Sequence, residues 1–271
     1  MLAWFSDLNQ RERRTMVACF GGWSLDAMDV MVFSFVIPSL LTLWHITKAE
    51  AGLLATVTLV VSALGGWFAG ALADRYGRVR VLQVAILWYA FFTFLCGFAN
   101  DFYTLFTFRA LQGLGFGGEW AAGAVLMGEV IRDKYRGRAV GIVQTGWSIG
   151  WGAAALLYTF FFAIMPEAIA WKAMFWIGLA PALLVFWIRR YVEEPEVNAR
   201  RAEKVGFTHL FAAMKTPHLS ITVRLSFMLI GAQGGGWAVG TFLPTYLKTV
   251  REMTSVGTTH QRRHPPPPFI C

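Results

Sequence analysis

Seven apolar segments of about 20 residues or more constrain this chain more than any motif does, because that is the length a helix needs to cross the roughly 30 Å hydrocarbon core of a bilayer. They lie at residues 15–43, 51–73, 81–99, 102–127, 139–165, 171–188 and 221–247. A backbone in hydrocarbon must satisfy its own polar groups, so each segment is predicted as a helix and the chain as an all-α integral membrane protein. Composition agrees: 56% of the residues are hydrophobic and 15% charged, where soluble domains carry about 25% charged. The apolar run beginning at Thr15 is too long for the core of a cleavable signal and reads as a first span.

The formal net charge of +8 raises the question of nucleic acid, but the basic residues stand in loops between apolar runs and are not interleaved with exposed aromatics. They also alternate. Arg11, Arg13 and Arg14, then Arg75, Arg78 and Arg80, then Arg132, Lys134, Arg136 and Arg138, then Arg189 and Arg190 fall on one side, whereas the opposite loops of the first six spans hold only Lys48 and Lys172. The positive-inside rule therefore predicts a cytoplasmic N-terminus in a multi-pass protein of the cell (inner or plasma) membrane. Cys19, Cys96 and Cys271 are scattered, with no metal or disulfide spacing, and no phosphate loop or zinc-protease pattern occurs. The expectation is no cofactor, no metal, no nucleic-acid partner and no enzymatic activity.

The domain plan follows from these runs: a cytoplasmic segment 1–14, a six-helix bundle 15–190, a cytoplasmic linker 191–220, a seventh span 221–247 and a polar tail 248–271 with Pro265 to Pro268, predicted to be disordered or non-native. Spans 1–3 and 4–6 are read as two three-helix units of inverted topology. Between spans 2 and 3, Gly70 to Arg80 form a tight basic hairpin, with glycines where the chain turns and where helices are expected to approach.

A few polar residues interrupt the spans. Asp26 and Asp29 share one face of span 1, roughly 16–21 Å from Thr15 at 1.5 Å per residue. A carboxyl at that depth must be paired, hydrated or protonated. It serves proton coupling or holds a neighbouring helix. Arg109 lies about 9–11 Å into span 4 and keeps its charge, so it needs an anion, either substrate or a carboxylate such as Asp29. Gln112 and Glu119 share a face, and Glu119 is a second proton site or a structural partner. Gly113, Gly115, Gly117 and Gly118, and the Gly146/Gly150 pair, read as helix-packing positions. Trp147 and Trp151 read as lipid-facing or packing residues before cavity residues.

These residues resemble the major facilitator superfamily. The hairpin Gly70-x-Leu72-Ala73-Asp74-Arg75-x-Gly77-Arg78 is similar to its loop between helices 2 and 3, with Val79 where the family has a basic residue. Leu105-x-x-x-Arg109-x-x-Gln112-Gly113-x-Gly115, Glu129 with Arg136-Gly137-Arg138, Trp171-Lys172-x-Met174-Phe175 with Pro181, Glu194-Pro195-Glu196 and Phe242 to Leu247 extend the likeness over about residues 10–250. Asp26-x-x-Asp29 and Gly117-Gly118-Glu119-Trp120 look most like the proton symporters of organic anions, such as sialate, lactate, aromatic-acid and metabolite carriers. The resemblance implies alternating-access symport of a small organic anion with protons. It implies Asp26, Asp29 and Glu119 in proton coupling, Arg109 and Gln112 in substrate binding, and Asp74, Arg75, Gly77, Arg78, Glu129 and Arg136 in gating. The family has twelve spans, so a chain with seven is expected to be truncated after its N-terminal bundle and inactive alone, unless a homodimer or the missing bundle completes the path. The alternatives are a sugar or drug porter of the same superfamily, or a non-transporting membrane module.

Overall fold

The computed structural model describes residues 3–180, 183 and 219–251. The linker, Pro181, Glu194 to Glu196 and the proline-rich tail lie outside the described residues. A short helix α1 (Ala3–Ser6) precedes the long helices α2 (Gln10–Leu43), α3 (Lys48–Tyr76), α4 (Arg78–Cys96), α5 (Phe102–Val130) and α6 (Asp133–Ile164). Helix α7 (Glu167–Trp176) runs into a 3₁₀ turn at Ile177–Leu179, and α8 covers Leu219–Thr249. Among the described residues α2, α3, α4 and α6 are long and apolar enough to cross a membrane.

The helices overrun the apolar segments because polar residues set their ends. Asn9 and Thr47 cap α2 and α3 through reciprocal boxes with Glu12 and Glu50, and Asp101 accepts from the Thr104 amide at the start of α5. Each satisfies amides that a helix start leaves open. The expected loop after span 4 shrinks to Ile131 and Arg132, because α5 continues to Val130 and α6 resumes at Asp133. The hairpin turns on Gly77 alone, whose φ of 101° suits a residue without Cβ. Gly70 has no neighbour within 4 Å of its Cβ position, which corrects its expected place at a helix crossing.

Helix contact is made through the predicted glycines. A Cβ on Gly117 would lie 1.8 Å from the Ser62 carbonyl oxygen, and one on Gly113 2.4 Å from that of Thr58, so α5 lies backbone to backbone against α3. Across the bundle α6 does the same to α2, with Gly150 facing the Ser24 carbonyl at 2.0 Å and Gly146 facing Phe20. The second span thus packs on the fourth as the fifth packs on the first, the relation expected of two inverted three-helix units. Phe33, Ile37, Leu54, Leu105, Trp171 and Phe175 fill the core between them.

Helix α8 leans on this bundle at one end only. Phe242 covers Gly52, Gly240 meets Trp151, and Lys248 Nζ reaches Glu167 Oε1 at 2.8 Å. Towards its N-terminus α8 is exposed, with Phe227 at 72% and Ile230 at 67%. The gap between α8 and the bundle therefore widens towards the side that carries the basic loops.

Candidate functional site

Helices α2 and α5 bring the intramembrane polar residues together, and all five are buried: Asp26, Asp29, Arg109, Gln112 and Glu119. They form two groups. Asp26 faces the Glu119 carboxyl and the Tyr89 hydroxyl of α4. Ionised carboxylates only accept hydrogen bonds, so two of them face one another without conflict when one holds a proton. In the second group Gln112 Nε2 donates to Asp29 Oδ2 and, at 2.6 Å, to Thr93 Oγ1, while its Oε1 accepts from Arg109 Nη1 at 3.0 Å. The Arg109 guanidinium lies 4.0 Å over the Phe33 ring, a favourable cation–π placement, and Nε donates to the Leu54 carbonyl at 3.5 Å. The expected pairing of Arg109 with Asp29 is thus relayed. Gln112, one turn along α5 and on the same face, stands between them.

The two groups differ in access. Asp26 and Glu119 line a crevice of about 300 Å³ with Ala18, Cys19, Ile86 and Met127. A second cavity, about 430 Å³, lies between the bundle and α8, lined by Trp23, Trp147, Trp151 and Trp237 with Gln144, Ser148 and Gln233. Trp23 and Gln144 border both spaces. The indoles form a chain, Trp23 to Trp147 at 5.0 Å between centroids and Trp147 to Trp237 at 5.8 Å. Trp147 and Trp151 are therefore cavity residues, against the expectation of lipid-facing or packing positions. Arg109 and Gln112 are not in the lining of this cavity. Arg109 borders instead a void of about 20 Å³, with Trp237 and Thr241 of α8 also on its wall, room for about one water. Sequence reasoning missed Trp23, Gln144, Gln233 and Trp237. Polar amides at Gln144 and Gln233 inside apolar runs were the available signal.

The hairpin residues divide as well. Arg78, only 6% exposed, meets Asp74 Oδ1 at 2.6 Å and Glu129 Oε1 at 3.4 Å. Arg75 is exposed, stacked 5.4 Å over Tyr76, and Arg136 pairs with Asp133 at 2.5 Å on its own helix. The structure thus joins Asp74, Arg78 and Glu129 around the Gly77 turn, and Arg136 is paired on its own helix. Arg78→Gln strands two carboxylates beside each other. Both are partly hydrated, so a loss of about 1–3 kcal/mol is expected, read as a lower melting temperature of the detergent-solubilised chain. Adding Glu129→Gln should recover part of it.

Two further clusters were not foreseen. At the basic-side surface, Glu12 accepts from Arg132 Nε and Nη2, both at 2.8 Å, and Arg132 Nη2 also donates to the Asp7 carbonyl at 2.6 Å. The Glu12 carboxylate holds the Arg132 pKa above its ordinary value. The Asn9-x-x-Glu12 spacing signalled a cap, but nothing in the sequence pointed to Arg132. At the opposite surface Glu167 Oε1 accepts from both Ser39 Oγ at 2.7 Å and Lys248 Nζ at 2.8 Å, tying α2, α7 and α8 together.

A family model described as Major Facilitator Superfamily matches residues 3–260. The probable 4-methylmuconolactone transporter of Cupriavidus pinatubonensis is 44% identical over 251 residues, covering 91% of this chain and 58% of that protein. The sialic acid transporter NanX of Escherichia coli is 31% identical, covering 90% and 59%. Among solved structures, a bacterial homologue of the human lysosomal transporter Spinster, inward-facing and unoccupied, superposes with a TM-score of 0.69 at 20% identity, over 90% of this chain and 57% of that one. The chain thus spans under three-fifths of the length of these relatives. The six-helix arrangement, the seventh helix and the sequence match agree, and the chain belongs to the Major Facilitator Superfamily.

Proposed function

We propose that this chain is the N-terminal bundle and seventh span of a proton-coupled symporter of a small organic acid, working by alternating access. The observation that carries the reading is that the crevice holding Asp26 and Glu119 meets the tryptophan-lined cavity at Trp23 and Gln144. A proton site and a ligand-sized space share two side chains. In this reading Asp26 and Glu119 carry the proton, and Asp29 holds the Arg109–Gln112 relay of α5 against α2. The ligand stacks among the indoles, with its polar groups on Gln144, Gln233 and Ser148. The relatives named for 4-methylmuconolactone, for sialic acid and, in Acinetobacter baylyi, for cis,cis-muconate support a small, oxygen-rich, often unsaturated acid as substrate.

Access changes at both ends. The Glu167–Lys248 contact closes one face while α8 stands away from the bundle at the other. With the basic loops cytoplasmic this is an inward-open arrangement, and the Asp74–Arg78–Glu129 cluster stands at the cytoplasmic gate. The six-helix bundle, the linker and the seventh span are the working domains, in the cell membrane with the N-terminus inside.

Titration of the purified chain with 4-methylmuconolactone tests the reading. Ligand among four indoles should change tryptophan fluorescence, and Trp147→Phe or Trp237→Phe should weaken binding roughly 3- to 10-fold, the worth of one aromatic stack. Unchanged affinity in both variants would remove the cavity from the site. The lining described also suits a second ligand class. It offers indoles and amides and no Arg or Lys, which fits a neutral sugar. Displacement by D-xylose and not by muconate would favour that alternative.

A further inference from the structure

The Asp26–Glu119 crevice ends in carboxyl oxygens that the bundle does not supply with donors. Asp26 Oδ1, Asp26 Oδ2 and Glu119 Oε2 are buried and have no hydrogen-bond partner among the described residues. The two side chains are 0% and 5% exposed, so bulk water does not make up the loss, and a carboxylate buried without donors carries the cost of its lost hydration. Asp29, three residues along α2, is the contrast, because the Gln112 amide donates to it. One proton shared by Asp26 and Glu119 supplies a single donor for the three oxygens.

The rest of the crevice is apolar and runs from the acids towards the basic side. Asp26 to Ala18 on α2 and Glu119 to Met127 on α5 are eight residues each, roughly 12 Å at 1.5 Å per residue. Leu82 and Ile86 of α4 are buried along it, and Val140 of α6, 44% exposed, stands at its open side. Its volume of about 300 Å³ is that of a small-ligand pocket. Unfilled acceptors at one end and apolar walls along the length select a molecule with a donor-rich cation and a compact apolar body. A primary ammonium carries three N–H donors and no acceptor, one for each open oxygen. A bare metal ion would use the oxygens and leave the apolar walls unmatched.

We infer that this crevice is a binding site for a small organic amine, its ammonium on Asp26 and Glu119 and its apolar body between α2, α4, α5 and α6. The amine sits beside the tryptophan cavity and not in it, with Trp23 and Gln144 between the two spaces. It occupies the oxygens that the proposed coupling proton uses, so amine and proton exclude one another. The site itself stands on the crevice, and only this exclusion rests on the proton-coupling reading.

Purified chain in detergent is dialysed to equilibrium against phenethylamine or 2-phenylethanol, with empty micelles as the blank. The two compounds differ in ammonium for hydroxyl, and the amine is a cation near pH 7 as a lysine side chain is. Charge-assisted bonds should favour the amine roughly 10- to 100-fold. Asp26→Asn with Glu119→Gln should abolish that preference and leave the weaker binding of the alcohol as it was. Val140→Trp narrows the open side from an exposed position, and should weaken both compounds while the preference stays. Equal binding of amine and alcohol by the unaltered chain, or binding of neither, would overturn the site. So would an undiminished preference in the double variant. An amine that binds with the expected preference and yet leaves ligand-linked proton uptake intact would confirm the site and remove the proton from Asp26 and Glu119.

Discussion

Valine at Gly117 or Gly150 will prevent the bundle from assembling, whereas valine at Gly141 or Gly152 will not. The first pair stands where two helix backbones touch: a Cβ would lie 1.8 Å from the Ser62 carbonyl at Gly117 and 2.0 Å from the Ser24 carbonyl at Gly150. Those atoms belong to main chain, so relief requires the helices to part. Overpacking of a core already costs about 1–3 kcal/mol when only side chains must give way, and here the cost should exceed that range. Parting α3 from α5 would also break the bond from Thr58 Oγ1 to the Arg109 carbonyl. Gly141 and Gly152 have nothing within 4 Å of the Cβ position. Fluorescence-detected gel filtration of the four variants reads the outcome, a monodisperse peak for the open positions and aggregation or loss for the packed ones. A normal peak for Gly117→Val would mean that α3 and α5 are not in backbone contact.

Asp26→Asn and Glu119→Gln will each make ligand binding insensitive to pH. A small carboxylic acid has a pKa near 4 and is ionised throughout pH 6–8, so any dependence in that range belongs to the protein. If one proton is taken up with each ligand, affinity is full at the acid end and falls as pH rises, by up to about tenfold per unit. If the two acids share that proton, an amide at either position removes it and should leave a flat profile. Asp29→Asn serves as the contrast. Asp29 accepts from Gln112 and stands outside the crevice lining, so its loss should disturb the Arg109 relay and lower stability while the slope with pH survives. A flat profile in Asp29→Asn with a steep one in Asp26→Asn would exchange the roles of the two acids.

The fold was legible because its cause is simple. Long apolar runs dictate helices, and glycines at Gly113, Gly117, Gly146 and Gly150 mark crossings whatever the tertiary detail. The acids were equally visible, since Asp26, Asp29 and Glu119 stand out against hydrocarbon. What remained hidden was which of them meet. Asp26 and Asp29 share a face by spacing, yet they find different partners, Glu119 for one and Gln112 for the other, because both partners come from a second helix, α5, whose placement no single-helix periodicity encodes. The tryptophan cavity was hidden for a related reason. An indole in a span packs, faces lipid or lines a cavity with the same local sequence, and only the position of α8 decides. The Glu12–Arg132 and Glu167–Lys248 pairs join residues 120 and 81 positions apart, separations that a reading of local motifs does not reach.

Proton exchange on ligand binding tests the central claim most directly. Purified chain in a weakly buffered detergent solution near pH 7 is mixed with 4-methylmuconolactone at the same pH, and a pH-indicating dye follows the proton balance. Coupling through the Asp26–Glu119 pair predicts net proton uptake in proportion to the ligand bound, and none in a chain carrying both Asp26→Asn and Glu119→Gln. Saturable binding by the unaltered chain with no proton taken up would contradict it.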